Sequence, residues 1–232
     1  MASVAVVGAK GYVGGALCAA LAKDASYSVT QVTRENYAQM QNGEYDILVN
    51  CAMPSARFAA KNDPGHDFIE TVQKTADLLY GWKFKKFVQI STVSARCQLD
   101  TVYGRHKAAA EKLCDFGDNL IVRLGSMYSP GLEKGVLVDM MQGKKVFVDG
   151  ESLYCFTPLD FVAQWIATHP ERSGIVEVGA RNALALRDVA KHLGKDIVFE
   201  GALDHQEIVD PEPGFPDARD VLVFLDNWKV AP

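Results

Sequence analysis

Short apolar runs rich in β-branched residues alternate with amphipathic stretches along most of this chain, and that alternation constrains the fold. "SVAVV" leads into a helical stretch with Val13, Leu17 and Leu21 four residues apart, and then into "YSVTQVT". The beat continues through "YDILVNC", a helix with Phe68, Val72, Ala76 and Leu79 on one face, "KFVQIS", a helix around Tyr103, and "NLIVRL". Near-continuous apolar strands separated by helices predict a parallel sheet covered on both faces, an α/β class.

After Leu124 the texture changes to glycine, proline and short mixed segments: "GSMYSPGLEKG", "KKVFVDGESLYCFTP", a helix from Leu159 with Phe161, Val162, Trp165 and Ile166, the strand "GIVEVG" and a last helix with Val221, Leu222 and Leu225. This half reads as a smaller lobe interleaved with the end of the sheet. The expected division is residues 1–128 for the sheet domain and 129–232 for the lobe. With 232 residues the chain can bury a large core.

A net charge of −5, with lysines and arginines scattered, argues against a nucleic-acid partner. The five cysteines are widely spaced, with no CxxC pair, and read as reduced thiols. The N-terminus has no basic leader, and no apolar run approaches the ~20 residues that span a bilayer. These features lead us to expect a soluble, cytoplasmic protein with no membrane partner. His66, His106, His169, His192 and His205 lack ligand spacing, so no metal site is expected. Trp82, Trp165 and Trp228 are expected in the core.

The stretch "VAVVGAKGYVGGAL" sets Gly8, Gly11 and Gly14 three residues apart, after the first strand and opening the first helix. A tight turn there lets backbone amides approach a pyrophosphate, and the helix N-terminus favours the anion. The second strand ends in "VTREN", where Arg34 suits a 2′-phosphate through charge-assisted bonds. NADP is therefore expected over NAD, with NAD the alternative.

In "DTVYGRHKAAAEKL", Tyr103 and Lys107 lie one helical turn apart and address one site. The preceding strand, "KFVQISTVS", ends in the hydroxyls of Ser91, Thr92 and Ser94. Ligands of an open parallel sheet sit beyond the carboxyl ends of the strands, so hydroxyl, phenol and ammonium are expected to meet there. An adjacent ammonium is expected to lower the pKa of Tyr103, letting it exchange a proton with a substrate oxygen while a nicotinamide transfers hydride. His106, between the two, is expected to point to the surface.

These motifs resemble the extended short-chain dehydrogenases/reductases, the branch of NAD(P)-dependent sugar epimerases, dehydratases and dTDP-4-dehydrorhamnose-reductase-like enzymes. "GAKGYVG" looks like the family's glycine loop, "YDILVNCA" its fourth strand, "ISTVS" its Ser/Thr strand end and "YGRHKAAAEKL" its Tyr-x-x-x-Lys helix. "VRLGSMYSPG" is similar to the strand and loop that follow, and "FTPLDFVAQWI" to the return from the substrate lobe. The resemblance implies a Rossmann-type doubly wound parallel sheet with a small interleaved C-terminal substrate lobe. It also implies an oxidoreductase, reductase or epimerase, acting on a sugar-like small molecule.

By the same resemblance Tyr103 is the acid/base, Lys107 holds the nicotinamide ribose, and Thr92 is the hydroxyl partner, with Ser91 and Ser94 as alternates. Tyr12 and Val13 place amides near the pyrophosphate, Asn50, Ala52 and Arg57 lie along the adenosine side, and Glu111 is a helix-surface carboxylate. The family's usual dimer surface, around the Tyr103 helix, implies a homodimer.

Three departures from the family are visible. The span from Arg34 to Ile47 is too short for the usual strand, turn and helix, so a sheet element is missing or reduced. The lobe is small for a nucleotide-linked sugar. Thr92 is followed by Val93 and Ser94 rather than by the two acids of sugar dehydratases, which favours carbonyl reduction or epimerisation over elimination. The rival reading is a non-catalytic NADP-binding sensor or regulatory subunit of the same fold.

Overall fold

The structure is a computed structural model that describes residues 1–228. Strand β1 (Ala2–Val7), helix α1 (Tyr12–Leu21) and strand β2 (Tyr27–Val32) open the chain, followed by a single helical turn, α2 (Tyr37–Met40), and strand β3 (Glu44–Asn50). Helices α3 (Arg57–Asn62) and α4 (Pro64–Phe68), a π-helical segment (Ile69–Gln73) and α5 (Lys74–Gly81) lead to β4 (Lys83–Thr92). Helix α6 (Ser94–Cys97), α7 (Val102–Cys114) and β5 (Leu120–Leu124) complete this run.

Beyond it come β6 (Met127–Tyr128), α8 (Val136–Met141), β7 (Leu153–Tyr154), β8 (Thr157–Pro158), α9 (Leu159–Thr168), β9 (Gly174–Val178), β10 (Leu184–Ala185), α10 (Leu186–His192) and α11 (Asp220–Asn227). The described residues form two compact units, 1–124 with 163–176, and 125–162 with 177–228.

The first unit is built on a six-stranded sheet of order β2-β1-β3-β4-β5-β9, in which β1 to β5 pair in parallel. This is the Rossmann-like α/β fold. The interior ends of the strands are apolar as a parallel sheet requires: Val4 to Val7, Leu48, Val49, Phe87, Val88 and Leu120 to Val122 are all buried. Trp82 closes the sheet beneath α2, with Tyr37 edge-on at 5.2 Å and its indole N–H donated to the Tyr37 hydroxyl. In the usual doubly wound order a further strand lies outside β2. Here β2 is the edge, because the connection to β3 holds only the one-turn helix α2. The missing element expected from the short span is that outer strand.

The helical run from α4 to α5 buries only part of the face its apolar periodicity suggests, Leu79 fully and Val72 and Ala76 partly. Phe68 and Ile69 are half exposed, and the buried stripe is Asp67, Thr71, Thr75 and Leu78. The π turn carries an extra residue per turn and so rotates the face presented to α7, against which this segment packs.

The second unit holds its own apolar cluster, with Phe156, Leu137, Met140, Leu186 and Val221 at its centre. Its two-stranded pairs are β6 with β8, parallel, and β7 with β10, antiparallel. The Trp165 and Trp228 side chains are buried, as is Trp82.

Candidate active site

The chain crosses the sheet between β1 and β3, and the glycine loop lies at that switch point. Gly8 has φ of +85°, and a Cβ there would stand 2.9 Å from the Ala52 backbone at the exit of β3. A Cβ on Gly14 would lie 2.2 Å from the Gly8 carbonyl oxygen, so turn and helix approach only because both residues lack side chains. Gly11 caps α1 with no side-chain acceptor for the first-turn amides. The chemistry of this cradle, bare backbone at the positive end of a ten-residue helix, fits a pyrophosphate, with Tyr12 and Val13 in that first turn.

Asn50 takes a different role from the one expected. Its amide is buried, donating to Gln89 at 3.0 Å and Thr75 at 3.3 Å, while its carbonyl accepts the Ala52 N–H at 3.1 Å. It shapes the Ala52 turn from inside the sheet and cannot face a ligand. Arg34 is exposed at the end of β2. Beside it, Glu35 is paired to Lys10 of the glycine loop at 3.1 Å, which ties the two loops together.

Helix α7 begins where Thr101 accepts the Gly104 N–H at 3.0 Å and donates to the Gln98 carbonyl at 2.8 Å. Gly104 is needed there, since a Cβ would fall 2.0 Å from the Gln98 oxygen. The helix then buries one stripe: Tyr103, Lys107 and Glu111, at spacings of four. The Lys107 ammonium lies 5.1 Å from the Tyr103 ring centroid and donates to the Pro54 carbonyl at 2.7 Å.

The three hydroxyls after β4 divide. Ser91 is buried and donates to Glu111 at 2.6 Å, which removes it as a partner for a substrate oxygen. Thr92 is half-buried, lies beside Tyr103, and accepts the Ser94 N–H at 3.3 Å. Ser94 accepts from Arg57 at 3.3 Å, so Arg57 reaches the hydroxyls that follow β4.

Electrostatics here run opposite to the expected lowering of the tyrosine. Burial pushes Tyr103 up to about 12; Arg57 pulls it back, Asp67 adds to the rise, and the Thr92 hydroxyl opposes it. Burial also lowers Lys107 to about 7, against the upward pull of the Asp67 and Glu111 carboxylates. Desolvation therefore outweighs the pairing of phenol and ammonium. Burial thus favours the neutral form of both side chains.

Glu111 and His106 also depart from expectation. Glu111 is 2% exposed rather than a surface carboxylate, because Arg123 forks onto it with contacts of 2.7 to 3.1 Å. His106 is half-buried, with Nδ1 2.7 Å from Asp67 Oδ2 and its ring edge-on to Phe68. Asp67 and Arg123 were not legible as site residues; Arg123 is a charge within the apolar run "NLIVRL", whereas Asp67 sits among other polar residues.

A glycine turn at the switch point of a parallel sheet, with a buried Tyr-x-x-x-Lys stripe beyond a Ser/Thr strand end, defines the dehydrogenase-like class of nucleotide-binding α/β proteins. The NAD dependent epimerase/dehydratase family model matches residues 4–144, and the chain belongs to that family. No curated protein matches its sequence.

Among solved structures it is similar to UDP-glucose 4-epimerase of Thermotoga maritima with UDP-glucose, at 16% identity and TM-score 0.72, covering 97% of each chain. It is similar also to dTDP-4-dehydrorhamnose reductase of Bacillus anthracis with NADP, at 16% identity and TM-score 0.71, covering 98% of this chain and all of that one. A third is UDP-glucuronic acid 4-epimerase of Bacillus cereus with UDP-glucuronic acid and NAD, at 20% identity and TM-score 0.65, covering 99% and 94%. At these identities the likeness establishes the fold. Among the described residues no helix is long and apolar enough to cross a membrane.

Proposed function

We propose that this protein is an NAD(P)-dependent oxidoreductase, a reductase or epimerase, that acts on a sugar-like carbonyl or alcohol with Tyr103 as the proton donor and acceptor. The observation that carries the reading is the buried stripe of Tyr103 and Lys107 beside Thr92 at the carboxyl end of β4. Similarity to proteins solved with nucleotide sugars supports a sugar-like substrate, and those solved with NAD, NADP and NADPH support the cofactor.

In this reading Gly8, Gly11, Tyr12, Val13 and Gly14 hold the pyrophosphate, Ala52 borders the nucleotide, and Lys107 holds the nicotinamide ribose. Arg34 meets the adenosine end and favours a 2′-phosphate. When bound, the nicotinamide supplies or accepts the hydride. Thr92 and Tyr103 converge on the substrate oxygen, Thr92 orienting it and Tyr103 giving its proton as the carbonyl is reduced. A phenol held up to about 12 is fully protonated at neutral pH, so it is ready as an acid. Lys107, donated to Pro54, compensates the phenolate left behind. Val93 and Ser94 offer no carboxylic acid after Thr92, which speaks for reduction or epimerisation over elimination.

The test is to titrate the protein with NADPH and with NADH by nicotinamide fluorescence, then to assay 4-keto sugars, free and nucleotide-linked. Saturable binding, tighter for NADPH and weakened by Arg34→Ala, is expected. Tyr103→Phe should bind the nucleotide normally and lose turnover by about 10²–10⁴-fold. A protein that binds nucleotide but turns over no substrate, with Tyr103→Phe indistinguishable from the parent, would be a sensor and would overturn the proposal.

A further inference from the structure

Asp67 is a buried carboxylate that the reaction as drawn does not use. It is 4% exposed, on α4, and its side chain accepts from one residue, His106, at 2.7 Å. His106 follows Tyr103 by three positions and precedes Lys107 by one, so the bond reaches α7 between the two reacting groups. One turn beyond Asp67, Thr71 Oγ1 is buried without a hydrogen-bond partner, and Thr75 continues the buried polar stripe. A polar stripe facing the catalytic helix is costly to bury, and hydrophobic side chains in those positions would hold α4 and α5 against α7 more cheaply. The π turn that brings this stripe inward adds a second irregularity at the same place, of the kind that accompanies functional sites.

We propose that Asp67 and His106 form a positioning dyad that holds Lys107 in its charged form and couples that charge to protons in solvent. The inference rests on the assignment of Tyr103 and Lys107 as the reacting pair. The charge of Asp67 raises both Lys107 and Tyr103, so it supports the ammonium and keeps the phenol protonated. His106 is the gate: its side chain is 19% exposed, against 4% for Asp67, so solvent protons reach the dyad through the imidazole. A protonated imidazole neutralises Asp67 and withdraws its support from Lys107; a neutral imidazole leaves that support in place.

The other charges around the dyad are accounted for. On α7, Glu111 acts on Lys107 but is held by Arg123 of β5. Arg57 of α3 acts on Tyr103 and bonds Ser94. Along the helical run that carries Asp67, Asp63 caps the His66 N–H, and Glu70 is paired to Lys74, with His66 and Arg34 also acting on Glu70. Asp67 is thus the carboxylate whose charge reaches both reacting groups.

The experiment follows the Lys107 ammonium directly, in protein carrying ¹³C,¹⁵N-lysine, by NMR titration without substrate or nucleotide. Lys107→Arg assigns the signal. In Asp67→Asn the Lys107 midpoint should fall by roughly one pH unit or more. In His106→Gln, which removes the imidazole and keeps the Asp67 carboxylate, it should stay or rise. Opposite responses separate the dyad from a simple tether between α4 and α7, whose loss would move both variants alike. An unmoved midpoint in Asp67→Asn, or equal downward shifts in both, overturns the proposal. Should Asp67→Asn not fold, a downward shift in His106→Gln alone overturns it. Because no turnover is read, its failure is distinct from failure of the proposed reaction, which the Tyr103→Phe assay decides.

Discussion

The Ser91 hydroxyl donates to the Glu111 carboxylate at 2.6 Å, in the interior between β4 and α7. Ser91 lies opposite Arg123 in the β4–β5 register, and Arg123 forks onto the same carboxylate. A helix, two strands and three polar side chains are thereby joined in one buried cluster, one turn along α7 from Lys107. Removing one partner leaves an uncompensated buried charge, so Glu111→Ala should cost about 3–5 kcal/mol in denaturant unfolding. Replacing both charges, as in Glu111→Met with Arg123→Met, should recover most of that loss. If the double variant is as unstable as the single, the cluster does not act through its charges.

The neighbouring hydroxyl has the opposite job. Thr92 is open enough to meet a substrate oxygen and lies beside Tyr103. Thr92→Val should therefore lower kcat by about 10–10²-fold with little change in melting temperature. Ser91→Ala should do the reverse, losing about 1–2 kcal/mol of stability with kcat nearly unchanged. Steady-state kinetics and thermal melts on the two variants check this, and equal kinetic losses would assign Ser91 a role the geometry denies it.

Periodicity carried the sheet because a parallel sheet buried on both faces leaves its strands no polar alternation to obscure the signal. The glycine loop and the Tyr103 and Lys107 spacing were legible because each is a local motif whose geometry the backbone enforces. The partners of that pair were not. Asp67 lies 39 residues before His106 and Pro54 lies 53 before Lys107, so only the packing of α4 and the β3 exit against α7 brings them together. The buried face of the Asp67 helix was not legible for a related reason: a π turn shifts the periodicity and brings Asp67, Thr71 and Thr75 inward beside the expected apolar positions. The direction of the Tyr103 shift depended on how much water burial excludes, which spacing does not encode.

The glycine loop makes a prediction with an internal control. Gly14→Ala would put a methyl 2.2 Å from the Gly8 carbonyl oxygen, backbone that cannot yield without opening the turn. Nucleotide binding should be lost and the protein destabilised. At Gly15, next in the same helix, a Cβ meets only the Ala9 oxygen at 3.5 Å. Gly15→Ala should bind nucleotide as the parent does and gain about 0.5–1 kcal/mol, from reduced freedom of the unfolded chain. Equal nucleotide affinity in both variants would show that the loop is not the phosphate cradle.

Lys107 should cost the fold stability that the site needs for chemistry. Burial lowers it from 10.5 to about 7, so between those values the unfolded chain binds a proton that the native state does not. Stability from this group therefore rises with pH across the window, and the full penalty is present below about 7. Tyr103, raised to about 12, acts the other way between 10 and 12, as do the thiols of Cys18, Cys51, Cys114 and Cys155, whose thiolates desolvation disfavours. The difference between parent and Lys107→Met cancels those common contributions and isolates the ammonium. At pH 6 the variant should be more stable by about 1–3 kcal/mol, a gain that shrinks toward pH 10, while turnover is lost. Denaturant unfolding at several pH values measures it. A difference that does not change with pH would mean that the ammonium is not desolvated, and that Lys107 rests charged in the native site.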